Sequence, residues 1–373
     1  MTDLYFPTTE EQVSECICDH IVMEKSLDVR TGGSLISLGS PMNVASTLSL
    51  KELNQVKLYE PEELVITLEP GVLLSDLKNL LMEHNQELKF EPPDLGPLLG
   101  NDPGIGTIGG IIGTNLSGPK RFLAGGARDY ILGVQGISGF GQIFKAGGRV
   151  VKNVSGYDVS KLMCGSYGTL GAITEMTLKL APKAQDEISL KIHDLETETA
   201  IFLMTEIAAC PYEVSGLAHI PGTGTFIRIE GTTASLDERI AAIRGLVGKR
   251  KVSELKREES EDQWRQIRDV APLNPPKNLP LWKISIAASD VLDVINDHNP
   301  EFYFLDWAGG LLWMSSKDIP TFDKGAFWLI RNTETPLDLP FNKSPDPLIR
   351  NLNKRIKKAF DPKNILNPGR LGF

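Results

Sequence analysis

Apolar positions first recur with helical spacing at Val13, Ile17 and Ile21, behind a capping box at Thr9–Gln12, and predict an amphipathic helix. A short strand at Leu27–Arg30 then delivers the chain into Thr31-Gly32-Gly33-Ser34. A turn of that composition is either a nest of consecutive backbone N–H groups or a simple tight turn, and the residues alone leave both open. Leu64–Leu68 is a continuous apolar run closed by Pro70-Gly71, which predicts a buried strand. Ser75 heads a helix whose buried stripe is Leu77, Leu80 and Leu81. Prolines at 92, 93, 97 and 103 keep the next stretch irregular. Strands follow at about 130–138, 142–145 and 172–180, the last with Met176, Leu178 and Leu180 alternating with polar neighbours.

Glycine changes this picture. More than half of the 35 glycines fall between Gly100 and Gly171, less than a fifth of the 373 residues. Glycine weakens helices and strands, so this concentration belongs to backbone that turns sharply or approaches another group closely. The strand-like runs between the clusters exclude a flexible linker, and the stretch reads as a folded cradle for a large phosphate-bearing ligand. Gly104-Ile-Gly-Thr-Ile-Gly109 matches G-x-G-x-x-G, but Leu99–Pro103 before it is no strand. Asp129 also precedes a strand instead of ending one, so a Rossmann site is excluded. Lys120, Arg121 and Arg128 flank the ribbon with positive charge, and Asp158 caps a short helix through Leu162 and Met163.

After Pro182 glycine thins and the elements lengthen. One round reads as strand Ile188–Ile192, helix Glu196–Ala209, strands Val214–Ile220 and Thr225–Glu230, and a helix capped at Ser235–Glu238. Past a proline-rich joint a second round reads as strand Trp282–Ile286, helix Val291–Ile295 and strands Phe302–Trp307, Gly310–Ser315 and Phe327–Ile330. Two similar rounds predict a separate α+β domain, one antiparallel sheet with helices on a single face. A basic helix from Pro347 then reads as a solvated face, and the apolar, turn-rich tail Phe360–Leu371 is expected to dock.

A net charge of −9 argues against nucleic acid, and no apolar run is long enough to span a bilayer. The start, MTDLYFPTTEE, has no basic, apolar leader, so the chain is expected to be cytoplasmic. Four scattered cysteines make no disulfide framework, and five histidines without paired spacing predict no metal site.

The run GGRVVKNVSGYDVSKLMCGSYGTLG, Gly147–Gly171, resembles the second half of the FAD-binding domain of the vanillyl-alcohol-oxidase, or PCMH, type. VRTGGS and TIGGIIGTNLSG look like its two pyrophosphate-facing segments, and FDPKNILNPGRL is similar to a tail that returns to that domain. EPPD, SGPKRFLAGGARDYILGV and LDWAGGLLWM point within the group to the E-subunit family of glycolate oxidases. The resemblance implies a fold of two α+β subdomains in a PCMH-type FAD domain at 1–183, a ferredoxin-like antiparallel sheet at 184–345, and a returning segment at 346–373.

It also implies non-covalent FAD, since the first loop carries Thr31–Leu35 and no histidine. Thr31, Gly32, Gly33 and Ser34, with Gly109, Gly110, Thr114, Asn115, Ser117 and Gly118, would offer backbone N–H groups to the diphosphate. Arg128 and Asp129 would stand beside them. Gly148, Lys152, Asn153, Gly156, Tyr157 and Asp158, and Gly165, Gly168, Thr169, Gly171 and Ile173, would line the adenosine and isoalloxazine sides. Asn367 and Arg370 would sit near the flavin, Arg370 either stabilising negative charge on the reduced ring or tying down the tail. Lys283 and Leu312 stand where that family has arginines, which puts a substrate-carboxylate role there in doubt.

The implied partners are a catalytic FAD subunit and an iron–sulfur subunit oxidising glycolate to glyoxylate, with any membrane association made through them. No catalytic base stands out in this chain; Tyr157, Arg228, Arg268 and Trp307 are the side chains to test. The alternatives are a self-sufficient 2-hydroxy-acid dehydrogenase and a flavin-free scaffold.

Overall fold

Thr9 caps the helix Glu10–Met23, its hydroxyl accepting from the Gln12 N–H at 3.3 Å, and Val13 and Ile17 turn fully into the core. The computed structural model describes residues 3–148, 156–273, 277–342 and 346–372. They form two compact units, Met1–Ser117 with Gly126–Pro182 and Ser344–Phe373, and Gly118–Gly125 with Lys183–Lys343. The expected division placed Gly118–Gly125 in the first part; in the structure this segment is grouped with the second.

The first unit holds a parallel three-stranded sheet ordered Asp3–Tyr5, Ser46–Ser49, Leu27–Arg30. It also holds an antiparallel five-stranded sheet ordered Val56–Glu60, Val65–Leu68, Gly171–Lys179, Ile131–Ser138, Ile143–Gly147. One apolar cluster joins them: Val13 and Ile17 from the helix, Leu27, Val29 and Leu48 from the small sheet, Ile137 and Ala172 from the large one. Leu366 of the tail completes it and bridges in parallel to Leu27.

The second unit is an eight-stranded antiparallel sheet. Its first round, Asp186–Ile192, Gly216–Ile220, Gly224–Gly231 and Val252–Leu255, is ordered 4-1-3-2, the ferredoxin-like arrangement. The second round, Leu281–Ser285, Phe302–Asp306, Leu311–Ser315 and Ala326–Arg331, repeats that order as its mirror along the sheet, and the rounds meet where His219 pairs with Leu305. Helices Thr197–Ala208, Thr233–Val247 and Val291–His298 pack on one face over Leu190, Ile192, Ile227, Ile229 and Leu312.

The expectation that helices cover a single face is corrected. The helix Arg257–Arg268 lies on the other, where Ser260 and Trp264 meet Ser189, since successive strand side chains alternate in direction. Thr232, not Ser235, heads the helix Thr233–Val247, and the Ser235 hydroxyl donates back to the Thr232 carbonyl. Among the described residues no helix is long and apolar enough to cross a membrane.

Candidate functional site

The strand Leu27–Arg30 ends at a cleft of about 780 Å³ in the first unit. Beyond it the chain turns through Gly33, whose φ of +85° is left-handed and favours glycine. Gly33 and Ser34 line the cleft, and their N–H groups have no hydrogen-bond partner among the described residues. Two adjacent donors are thereby left without a protein acceptor, as a nest of N–H groups would have them. Thr31 Oγ1, 2.6 Å from Thr107 Oγ1, fastens this turn to the head of the helix Ile108–Thr114.

Two glycines of that helix do opposite work. A Cβ at Gly109 would fall within 2.6–2.8 Å of Pro70 and Thr31, so glycine lets the helix pack. At Gly113 a Cβ would meet nothing within 4 Å, so glycine there leaves open the part of the cleft that a side chain would fill. The expectation that the N–H groups of Gly109 and Gly110 are free for the diphosphate is corrected. The Ile108 N–H donates to the Val72 carbonyl (3.0 Å), Gly109 to Pro70 (2.9 Å), Gly110 to Thr107 Oγ1 (3.3 Å) and Ile111 to the Thr107 carbonyl (3.2 Å). The helix therefore contributes close-approach surface, and its first four N–H groups are occupied.

The tail closes the opposite side. Asn367, at φ +44°, accepts from the Val29 N–H (2.6 Å) and donates to the Val29 (3.0 Å) and Tyr167 (2.6 Å) carbonyls. Its amide thus acts as a further rung on the strand. Arg370 donates to the Ile36 carbonyl and lies 3.5 Å from that of Ser40, holding the loop after the nest. Arg30 sits 3.5 Å from Asp28. Burial raises the Asp28 carboxyl while Arg30 and Arg370 oppose the rise; burial lowers the Arg370 guanidinium and Asp28 opposes that. The Tyr167 hydroxyl is raised by burial and stays protonated. With both arginines charged against one carboxylate, this wall carries net positive charge.

The second unit carries two polar groups on the face that Arg257–Arg268 covers in part. Lys120 and Glu230 form a buried ion pair at 2.7 Å, and the Arg228 guanidinium stacks 4.5 Å over Trp264. Glu187 accepts from the Ser260 hydroxyl at 2.6 Å. Burial pushes the Glu187 carboxyl up to about 7; burial also opposes ionisation of Glu230, but Lys120 and Arg228 prevail and hold it at about 2. Farther along, Lys283 Nζ lies 5.3 Å from the Trp307 ring and 5.5 Å from Trp328, and Arg121 lies 5.0 Å over Trp307. Burial and the nearby Arg121 bring the Lys283 ammonium down to about 8. His219, brought down to about 4 by burial, bonds Thr225 (2.9 Å) and Thr197 (3.3 Å), and no cluster of metal-ligating side chains occurs among the described residues.

Comparison with known proteins gives the family of the chain. A family model of an FAD binding domain matches residues 4–147, and one of the C-terminal domain of FAD linked oxidases matches residues 342–371. Glycolate oxidase subunit GlcE of Escherichia coli (strain K12) is 31% identical over 97% of this chain and 95% of its own. The chain belongs to the PCMH-type FAD-linked oxidases. Glycolate oxidase subunit GlcD of Bacillus subtilis (strain 168) is 34% identical over 43% of this chain, which spans only 32% of that protein. The structure of p-cresol methylhydroxylase with substrate bound superposes with a TM-score of 0.73 at 15% identity, covering 99% of this chain and 88% of that one, and shows the fold alone.

This FAD-linked oxidoreductase brings only part of the expected set to the cleft. Thr31, Gly33 and Ser34 line it from the first turn, Gly109, Gly110 and Thr114 from the helix, Gly168, Gly171 and Ile173 from the later turns, and Asn367 and Arg370 from the tail. Gly32 instead packs on Thr107. Asn115 Oδ1 accepts from the Arg128 N–H, Ser117 Oγ from Ala127 and Asp129 from Gly126, so these residues hold a turn away from the cleft.

The Gly118 carbonyl accepts from the Trp307 indole, within the second unit. Gly148 lines a separate hollow of about 190 Å³. Gly156 is exposed, Tyr157 is 94% exposed, and Asp158 caps the helix Val159–Met163. Gly165 packs on Asn115, and the Thr169 hydroxyl donates to the Ser166 carbonyl. Lys152 and Asn153 lie outside the described residues. Arg268 pairs with its neighbour Asp269. Sequence reasoning missed Asp28, and it included Arg30 and Thr107 only within the two quoted motifs without giving either a place in the site.

Proposed function

We propose that this chain is the FAD-binding subunit of a cytoplasmic complex that oxidises glycolate to glyoxylate and passes the electrons to an iron–sulfur partner. The observation that carries the reading is the bare cleft wall at Gly33, Ser34 and Gly113, in a chain that aligns with GlcE almost end to end. The residues fit the cofactor: Gly33 and Ser34 would hold the diphosphate by their N–H groups, Gly113 would let the ligand lie against backbone, and no histidine in Thr31–Leu35 would tether it. Bound FAD supplies a two-electron acceptor. Arg30 and Arg370 would favour negative charge beside the cleft, while Leu50 and Ile173 would keep water from its apolar part.

The titratable residues lining the cleft are Asp28, Arg30, Tyr167 and Arg370, and Asp28 already faces two guanidinium groups. This supports assigning the hydroxyl proton and hydride to a partner chain. A second reading, a self-sufficient 2-hydroxy-acid dehydrogenase, is favoured by Lys283 and Arg121. Both cations face Trp307, as a carboxylate-binding pair would, with the Asp306 carboxylate also acting on Lys283. Absorption spectra decide between them. The subunit reading expects a yellow protein that glycolate does not bleach anaerobically until the partner chains are added. Bleaching of the isolated chain supports the second reading, and a preparation that takes up no FAD refutes both.

A further inference from the structure

The strand Leu27–Arg30 sends its side chains alternately to two sides. Leu27 and Val29 enter the apolar cluster, while Asp28 and Arg30 line the cleft with carboxylate and guanidinium 3.5 Å apart. Asp28 is only 6% exposed. Arg370 reaches the same wall from the tail, and Arg30 and Arg370 are the charges that act on the carboxylate. Tyr167, on the turn beyond, is a phenol that burial keeps protonated, and the neighbouring strand Ser46–Ser49 brings only serine, threonine and leucine. Burial raises the Asp28 carboxyl above its ordinary value and both guanidinium groups oppose the rise, so a proton is held more readily here than on an exposed aspartate.

Counting charge sets a condition on the cofactor. Two guanidinium groups and one carboxylate give this wall a single net positive charge. The diphosphate of FAD carries two negative charges, and the Gly33 and Ser34 N–H groups that would hold it line the same cleft. With Asp28 ionised, three negative charges would share two cations around a carboxylate with almost no access to water, where unbalanced charge is costly. With Asp28 protonated, two face two.

We propose that Asp28 takes up a proton when FAD binds, so that Arg30 and Arg370 are left to balance the diphosphate. The carboxylate is then the stand-in anion of this wall, and the cofactor replaces its charge. The proton comes from solvent, and Asp28 makes no bond to the cofactor that the step requires. The inference rests on the part of the proposed function that puts FAD in this cleft, and not on glycolate or on partner chains. Its sign is fixed: proton uptake makes FAD bind more tightly at low pH. Affinity should fall by up to about tenfold per pH unit as pH rises between the values at which the free and the FAD-bound carboxyl ionise, one proton being linked to one FAD.

The test titrates the full chain, stripped of flavin, with FAD in a calorimeter at one pH in phosphate and again in Tris, buffers whose heats of protonation differ. The difference between the two heats counts the protons taken up, and repeating it from about pH 5 to 8 covers the range into which a raised carboxyl titrates. The wild type is expected to take up at least about half a proton per FAD at its maximum, which corresponds to a tenfold change in affinity across the range. Asp28→Asn makes the neutral state permanent. It should take up no proton, bind FAD with an affinity independent of pH, match the wild type at the acid end and exceed it about tenfold at the alkaline end. Asp28→Ser gives the same comparison should Asp28→Asn misfold. Absence of proton uptake by the wild type overturns the proposal, and so does equal uptake by the variant, which assigns the proton to another group. Loss of FAD affinity by the variant at every pH overturns it as well, by showing that the ionised carboxylate holds the arginines for the cofactor. Each of these results leaves the subunit reading standing, whereas a wild-type chain that takes up no FAD removes both.

Discussion

Replacing Asn367 by alanine should loosen the tail and the cleft together. The side chain makes three hydrogen bonds, two buried ones to the backbone of Val29 and a partly buried one to Tyr167, in a residue only 3% exposed. Each is worth about 1 kcal/mol net. A left-handed backbone at φ +44° costs alanine about 1 kcal/mol more than asparagine. The expected loss is therefore about 4 kcal/mol. At about 2–4 °C per kcal/mol for a unit near 200 residues, the flavin-free protein should melt roughly 8–16 °C lower. Differential scanning calorimetry reads this shift, and quenching of FAD fluorescence reads the companion loss of affinity. Asn367→Asp should be no better, because it sets a carboxylate against two carbonyls. A shift below about 3 °C with unchanged FAD affinity would refute the rung-like role given to this amide.

Gly113→Ala should stabilise the flavin-free protein by about 0.5–1 kcal/mol, since alanine is the better helix former, whereas Gly113→Leu should abolish FAD retention on a desalting column. Lys357→Met leaves Asp361 buried without its cation, and should cost about 3–5 kcal/mol in urea titrations. Glu187 is a carboxyl raised in the folded state, so its favourable contribution is complete below pH 4.5 and is lost as pH rises through about 7. Glu187→Gln, which still accepts from Ser260, should gain on the wild type over that window, by up to about 3 kcal/mol. Taking the difference at each pH removes the opposite slope of His219, which loses stability as pH falls from 6.5 towards 4; a pH-independent difference would reject the assignment.

The glycine-lined cleft was legible in the sequence because glycine spacing records where backbone must turn left-handed, as at Gly33, come close, as at Gly109, or do both, as at Gly168. The direction of the donors was not legible. Carbonyls of Pro70 and Val72, about forty residues upstream, consume the first N–H groups of the glycine helix, and nothing local announces that. The helix Arg257–Arg268 escaped notice because it buries little beyond Trp264 and Ile267 among charged residues. Lys357 looked like one more solvated cation, and only the fold supplies the three acceptors that bury it. Gly118–Gly125 is grouped with the second unit, where Lys120 meets Glu230, 110 positions away, and Gly118 and Arg121 meet Trp307, pairings that periodicity cannot show.

The bond between Val29 and Asn367 spans 338 positions. During synthesis the nest at Gly33 emerges early and waits while the whole second unit is made. The cleft acquires its last wall only when Asn367 and Arg370 have cleared the ribosome. Chains broken off upstream of them would present Gly33 and Ser34 without the wall that the tail supplies, and yellow colour in a purified preparation would then report that synthesis had passed Arg370.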